Sequence, residues 1–214
     1  MNILVCLLVL PFVLSQLSQP TAPPVWPNQF EQTFNETFTY PVLGSSSTSG
    51  KFFYDFLNKR YRVDRLDGKW DRYCGTAYWF RSTPCSQIVV DSKRYLYYPE
   101  KNYCCYCCNS TQGCGLLKPD WLTGATFIGY ESDAAGNSYE KWDQKGLQDN
   151  FYYSTNDDKR VMWKLDQEPN DIQTFDVASL YLGISDPKAL ELPQECVAAD
   201  NCQFLSACTA VRWM

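Results

Sequence analysis

Tyr103-Cys104-Cys105-Tyr106-Cys107-Cys108-Asn109-Ser110-Thr111-Gln112-Gly113-Cys114-Gly115 places five cysteines in one short run bounded by aromatic and glycine residues. Read as extended chain, the run alternates its side chains, so Cys104, Tyr106 and Cys108 face one way and Cys105 and Cys107 the other. Neighbouring cysteines join only with strain, because a disulfide needs converging Cβ vectors and Cα atoms about 5.5 Å apart. The run must therefore reach outward. The chain offers Cys74, Cys85, Cys196, Cys202 and Cys208, which with Cys104, Cys105, Cys107, Cys108 and Cys114 make ten, enough for five bridges. Which pairs form is left open by the sequence. Cys104/Cys107 and Cys105/Cys108 also carry the C-x-x-C spacing of a thiolate zinc site or a redox motif.

The compartment decides between these readings. Residues 1–18 hold an apolar run too short to span a bilayer, broken by Pro11, with Ser15 or Ser18 as the small residue at a cleavage site; they read as a secretory signal peptide containing the remaining cysteine, Cys6. A chain delivered to an oxidising lumen uses dense cysteines as structural disulfides, so no metal is assigned to them. The expected destination is extracellular, with the lysosome as the alternative that shares the same leader.

The organisation expected beyond the leader is a proline-rich lead-in over residues 19–29 and a single β domain over residues 30–214, a length that can bury a substantial core. No stretch after the leader reaches membrane-span length. The complete absence of histidine removes histidine-based nucleophile schemes, histidine zinc sites and histidine pH switches. A net charge of −5 with scattered basic residues leaves no footprint for nucleic acid or anionic lipid surfaces.

Residues 30–40 alternate Phe30, Gln32, Phe34, Glu36, Phe38 and Tyr40 with Glu31, Thr33, Asn35, Thr37 and Thr39, the period-two pattern of a strand with one mostly apolar face. Asn35 opens an N-x-T sequon on the polar face, and Asn109 opens a second among the cysteines. The Gly/Ser/Thr run 44–50 reads as a flexible loop. Further strands are expected over 52–57, 61–66, 73–80, 87–90, 94–98, 125–131, 138–142, 150–154 and 161–165, separated by Asp, Asn and Gly clusters. Helical pattern is confined to one turn at 118–123 and to the tail 202–211, where Phe204, Leu205 and Cys208 could share a face. The fold class is mainly β: a curved antiparallel sheet or half-open barrel, disulfide-stapled, with few short helices.

Residues 175–196 (FDVASLYLGISDPKALELPQEC) resemble the C-terminal signature of the ependymin-related proteins, an aromatic strand leading into Gly183-Ile184-x-Asp186-Pro187 and then Pro193-x-x-Cys196. Residues 58–68, Phe127 to Tyr130, Trp142 and Tyr152-Tyr153 resemble other parts of that family's pattern, whereas the doubled Cys104-Cys105 and Cys107-Cys108 and the tail cysteines depart from it. The resemblance implies a secreted or lysosomal glycoprotein with a fold like the LolA lipoprotein carriers, a curved sheet with an apolar concave pocket. It also implies association with calcium, with extracellular matrix and with lipid or ganglioside, and no shared catalytic residue set.

An apolar concave face with many aromatics is satisfied by a lid or by an oily ligand. The candidate inward residues are Phe34, Phe38, Phe52, Tyr54, Phe56, Tyr95, Tyr97, Phe127, Trp142, Phe151 and Trp163, subject to the rule that a one-residue slip exchanges the faces. An ordinary packed core is the competing explanation for each ring. Asp157-Asp158 and Glu168-Pro169-Asn170-Asp171 could supply oxygens to Ca²⁺, with solvated turns as the alternative, and no other cofactor is implied. Asp55 and Asp64 are the paired carboxylates that a glycoside hydrolase would need. The leading expectation is a non-enzymatic binder of a hydrophobic ligand; a calcium-linked adhesive glycoprotein and a glycosidase are the alternatives.

Overall fold

The computed structural model describes residues 19–40, 42, 44–78, 81–146, 149–167, 169–203 and 207–209. The expected leader, residues 1–18, lies outside these. One sheet is built from β1 (Gln29–Tyr40), β2 (Gly44–Asp55), β3 (Arg60–Arg65), β4 (Cys85–Val90), β5 (Lys93–Tyr98), β6 (Tyr103–Asn109), β7 (Thr126–Ser132), β8 (Ser138–Lys145), β9 (Asp149–Thr155), β10 (Met162–Gln167), β11 (Asp171–Phe175) and β12 (Tyr181–Leu182). Its strand order is β6-β5-β4-β3-β2-β1-β11-β10-β9-β8-β7, with β12 beside β1. Every pairing between these strands is antiparallel and the two end strands, β6 and β7, do not meet, so the sheet is a half-open meander. β1 is the hinge of the arrangement, because it joins the first strands to the last ones.

The alternation in β1 works as expected. Phe30, Phe34 and Phe38 are buried on one face, hereafter the inner face, while Thr33, Asn35 and Thr39 are exposed on the other. The inner cluster draws Phe30 and Phe34 from β1, Tyr54 from β2, Val63 from β3, Trp142 from β8 and Tyr152 from β9, bringing strands from opposite ends of the order around one core.

Two local expectations change. Residues 44–50 are strand rather than loop, the first half of β2. Their serines and threonines face those of β1, with Thr37 Oγ1 3.1 Å from Ser47 Oγ and Thr39 Oγ1 3.0 Å from Ser45 Oγ, so hydroxyl rungs replace apolar contacts as the cross-strand pairs. Of the strand expected over 73–80, the described residues 73–78 are not strand, and residues 79 and 80 lie outside the described residues: Asp71 accepts from the backbone N–H of Tyr73 at 2.9 Å and from that of Cys74, and starts the short helix α1 (Gly75–Tyr78). The single turn at 118–123 is present, closed by Trp121 N–H to Lys118 O at 3.1 Å. Residues 207–209 of the tail are helical; Phe204 and Leu205 lie outside the described residues.

The cysteine run is β6, and five bridges hold it: Cys74–Cys85, Cys104–Cys196, Cys105–Cys202, Cys107–Cys208 and Cys108–Cys114. Each C-x-x-C pair is divided between different bridges. The expected parity is corrected at Cys108. Pairing with β5 slips between Arg94 and Tyr95, so that Arg94 faces Cys108 while Tyr95 faces Tyr106, leaving Cys107 as the extra residue of a bulge. One inserted residue turns Cys108 to the side of Cys105 and away from Cys104. Cys105, Cys107, Cys108 and Cys114 then pack with Leu96 and Tyr98 in a second, sulfur-rich core.

The tail wraps the edge of β6. Tyr106 donates its N–H to Asp200 O and accepts from Cys202 N–H, both at 2.8 Å, so part of the free edge is paired by the segment whose cysteines are bridged into β6 on both sides of this contact. Covering an edge strand in this way removes a template for association.

Candidate functional site

Most of the hollow on the inner face is filled by the protein itself. Trp26, buried to 5% exposure, brings the lead-in across the sheet. Its ring lies 5.2 Å from Tyr54 and 5.5 Å from Trp121, its Nε1–H donates to Tyr152 Oη at 3.1 Å, and its backbone N–H donates to Pro119 O at 2.9 Å. The crossing segment 113–125 adds Leu116, Trp121 and the fully buried Leu122, and is tied down by Tyr54 Oη donating to Leu117 O at 2.8 Å. The two pieces form a cover held to the sheet by hydrogen bonds at aromatic tips, which can be satisfied only where the rings pack.

What remains beneath the cover is a cavity of about 260 Å³. Its apolar wall includes Trp26, Phe52, Tyr54, Val63, Leu117 and Leu165. At one end stands a charged group: Arg65, 6% exposed, donates to both Glu36 carboxylate oxygens, from Nε at 2.5 Å and from Nη2 at 2.9 Å, and lies 3.5 Å from Asp71. Gln173 also donates to Glu36. Burial works against the guanidinium charge, but Asp71 and Glu36 raise the Arg65 pKa above its usual range. Asp171 shares this end of the cavity. Burial, reinforced by the negative charge of Glu36, pushes its carboxyl up to about 9, and its Oδ1 has no hydrogen-bond partner among the described residues. The other end carries Gln87, Tyr73 and Arg94.

The aromatic residues expected to line a pocket are divided by the sheet. Phe34, Tyr54 and Trp142 are in the inner core, Phe56 and Phe127 pack against it, and Phe38 is buried on the same face of β1 opposite Asp171 and Ser46. Tyr97 and Phe151 stand on the outer face, as does Tyr95, whose ring is 5.8 Å from Tyr106. Lys141 Nζ sits 4.5 Å over the Phe151 ring. Trp163 falls where the β9–β10 register slips and stacks 3.8 Å from Tyr139 outside the core. Of the nine sharpest candidates (Phe34, Phe38, Tyr54, Phe56, Tyr97, Phe127, Trp142, Phe151 and Trp163) only Tyr54 borders the cavity. Trp26, Arg65, Arg94 and Asp171 line the cavity without being among the expected residues; Arg94, Leu96 and Tyr98 form the opposite parity to the expected Tyr95 and Tyr97, and only strand pairing tells the two apart.

The remaining candidates have local duties. Asp157 Oδ1 accepts from Thr155 Oγ1 and from the N–H groups of Lys159 and Arg160, closing its own turn, while Asp171 points inward and Glu168 lies outside the described residues. Burial would raise the Asp55 pKa, yet hydrogen bonds from Asn58 and Gln29 hold it below the usual carboxylate range, opposite to what a general acid needs. Asp64 is engaged by Arg62 and Ser86, each at 2.5 Å. Asn35 is exposed and accepts from Ser49 Oγ at 2.7 Å, beside an open outer groove of about 550 Å³. Asn109 caps a short 3-10 turn, accepting from Thr111 N–H at 3.1 Å.

No family model matches the sequence, and comparison with curated proteins gives no match. Among solved structures the chain is similar to an uncharacterized conserved protein from Thermus thermophilus, with TM-score 0.47 and 8% identity over 79% of this chain and 88% of that chain. It is also similar to a LolA superfamily protein from Nitrosomonas europaea, with TM-score 0.36 and 7% identity over 78% of this chain and 91% of that one. A DUF1329 family protein from Desulfovibrio piger gives TM-score 0.34 and 9% identity over 77% and 92%. At these scores they place no ligand or activity on this chain.

Proposed function

We propose that the protein is a non-enzymatic carrier, exported as a disulfide-held glycoprotein of ependymin-related type, which holds one small apolar or amphipathic ligand between its inner face and the cover. The observation that supports this is the 260 Å³ cavity, walled by rings and aliphatic side chains on one side and by fixed polar groups at its ends. That volume lies just below the span of about 300–1,000 Å³ usual for small-molecule sites, so it suits a single alkyl chain or ring system and not a two-chain lipid. Burying such a chain contributes about 0.8 kcal/mol per CH₂, enough for useful affinity without any charge contact. The exposed Asn35 suits glycan attachment, since a glycan there would project from the outer face without touching the cavity. Calcium-linked adhesion through such glycans is the secondary reading, favoured by the same exposed sequon.

Organic-solvent extraction of protein purified from its native source tests the carrier reading. A stoichiometric apolar compound in the extract, and a melting temperature that falls on delipidation and recovers on adding the compound back, are expected. An empty extract with an unchanged melting temperature would contradict it.

A further inference from the structure

Arg94 is 8% exposed, and no carboxylate among the described residues lies within ion-pair distance of it. Its guanidinium sits 4.9 Å over the Tyr73 ring, with the Tyr61 and Tyr73 hydroxyls as its polar neighbours. Its Nε–H has no partner among the described residues. Arg94 also lines the cavity under the cover. A cation taken out of water with only rings and neutral hydroxyls around it is poorly compensated, and arginine cannot escape by losing its proton. The opposite end of the same cavity is different in kind: there Arg65 is already paired with Glu36 and Asp71, and Asp171 adds a further carboxyl. An anion entering that end meets a crowded set of carboxyls; at the Arg94 end it meets an unneutralised guanidinium. The two ends of one apolar cavity are thus electrostatically unequal.

We infer that Arg94 is the headgroup anchor for an amphipathic monoanion, a medium-chain fatty carboxylate, whose carboxylate pairs with the guanidinium where Arg94 borders the cavity while its alkyl chain lies along Phe52, Tyr54 and Leu165. This rests on the carrier reading above and deepens it by naming the ligand's polar end. The planar guanidinium edge matches a carboxylate. The cavity volume of about 260 Å³ leaves no room for a glycerophosphate head with its chains.

The test compares decanoate with decanol, which share a chain length and differ in charge, by titration calorimetry on the full chain and on Arg94→Met. Wild type is expected to bind decanoate at least tenfold more tightly than decanol, and Arg94→Met to lose that preference while still binding decanol. Equal binding of the two by wild type would overturn the anchor while leaving the carrier reading standing. Binding of neither would overturn both. Should Arg94→Met fail to fold, Arg94→Lys, which keeps the charge but loses the planar edge, is expected to weaken decanoate at least threefold and leave decanol unchanged; unchanged decanoate affinity in it would again count against the anchor.

Discussion

Asp171 illustrates how one side chain couples the cavity to stability. Its folded pKa of about 9 lies above the usual carboxyl value because burial and Glu36 disfavour its charge, with Arg65 and Arg72 opposing and Asp71 adding to the effect. A carboxyl with a raised folded pKa keeps its proton in the native chain where the unfolded chain has lost it, so stability falls as pH rises from about 4 toward about 9. Asp171→Asn should therefore leave stability nearly unchanged at pH 4 and raise it at pH 8 by up to about 5 kcal/mol, roughly 1.4 kcal/mol for each pH unit between the two, read by urea denaturation at both values. A variant that is less stable at pH 8 would show that the carboxylate is needed charged. Trp26 acts at the same scale: it is the hub of the cover, and Trp26→Ala should cost about 3–5 kcal/mol, checked by the same denaturation curves. Gly50 is also constrained, because a Cβ there would collide with the Asp64 carbonyl and with the Phe34 ring, which packs over the glycine. Gly50→Ala should destabilise by about 1–3 kcal/mol in thermal unfolding, with an unchanged melting temperature as the contrary result.

Among the elements, legibility followed the chemistry of the side chains. The alternation of β1 could be read directly because Phe30, Phe34 and Phe38 contrast with Thr33, Asn35 and Thr39. The first half of β2 could not, since Ser45 to Ser49 carry no apolar contrast and their rungs to Thr37 and Thr39 appear only once the strands are paired. The inward direction of Cys108 was likewise hidden: a bulge is one residue of register, and nothing in a cysteine doublet announces it. The same limit scattered the ring assignments, because Tyr97, Phe151 and Trp163 look like Tyr54 in composition and differ only in parity. The tail bridges carry a prediction of their own. The Cys104–Cys196 bridge spans 92 residues, so the Cys104→Ser/Cys196→Ser pair should lose about 2–5 kcal/mol. Freed from one of its staples, the tail should also expose the Tyr106 amide, read as faster hydrogen exchange at that position; unchanged exchange would show that the Cys105–Cys202 and Cys107–Cys208 bridges suffice to hold the edge.

The whole molecule combines a half-open sheet with two cores of different make-up, one aromatic beneath the cover and one sulfur-rich beside β5 and β6. The half-open sheet and a disulfide framework were legible because strand spacing and cysteine count are properties of the chain itself. The cavity was not, because its size depends on how far Trp26 and segment 113–125 descend into the hollow. The hollow holds a small chamber with a charged cluster at one end and a lone buried cation at the other. The chamber's ability to take an apolar guest is the central claim, and filling it isolates that claim from everything else in the fold. Leu116→Trp places an indole in the cavity wall, and its decanol binding by calorimetry is to be compared with that of the wild type. One decanol per wild-type chain, and binding at least tenfold weaker in a variant that still folds, is the predicted result; no binding to wild type, or equal binding to both, would contradict it.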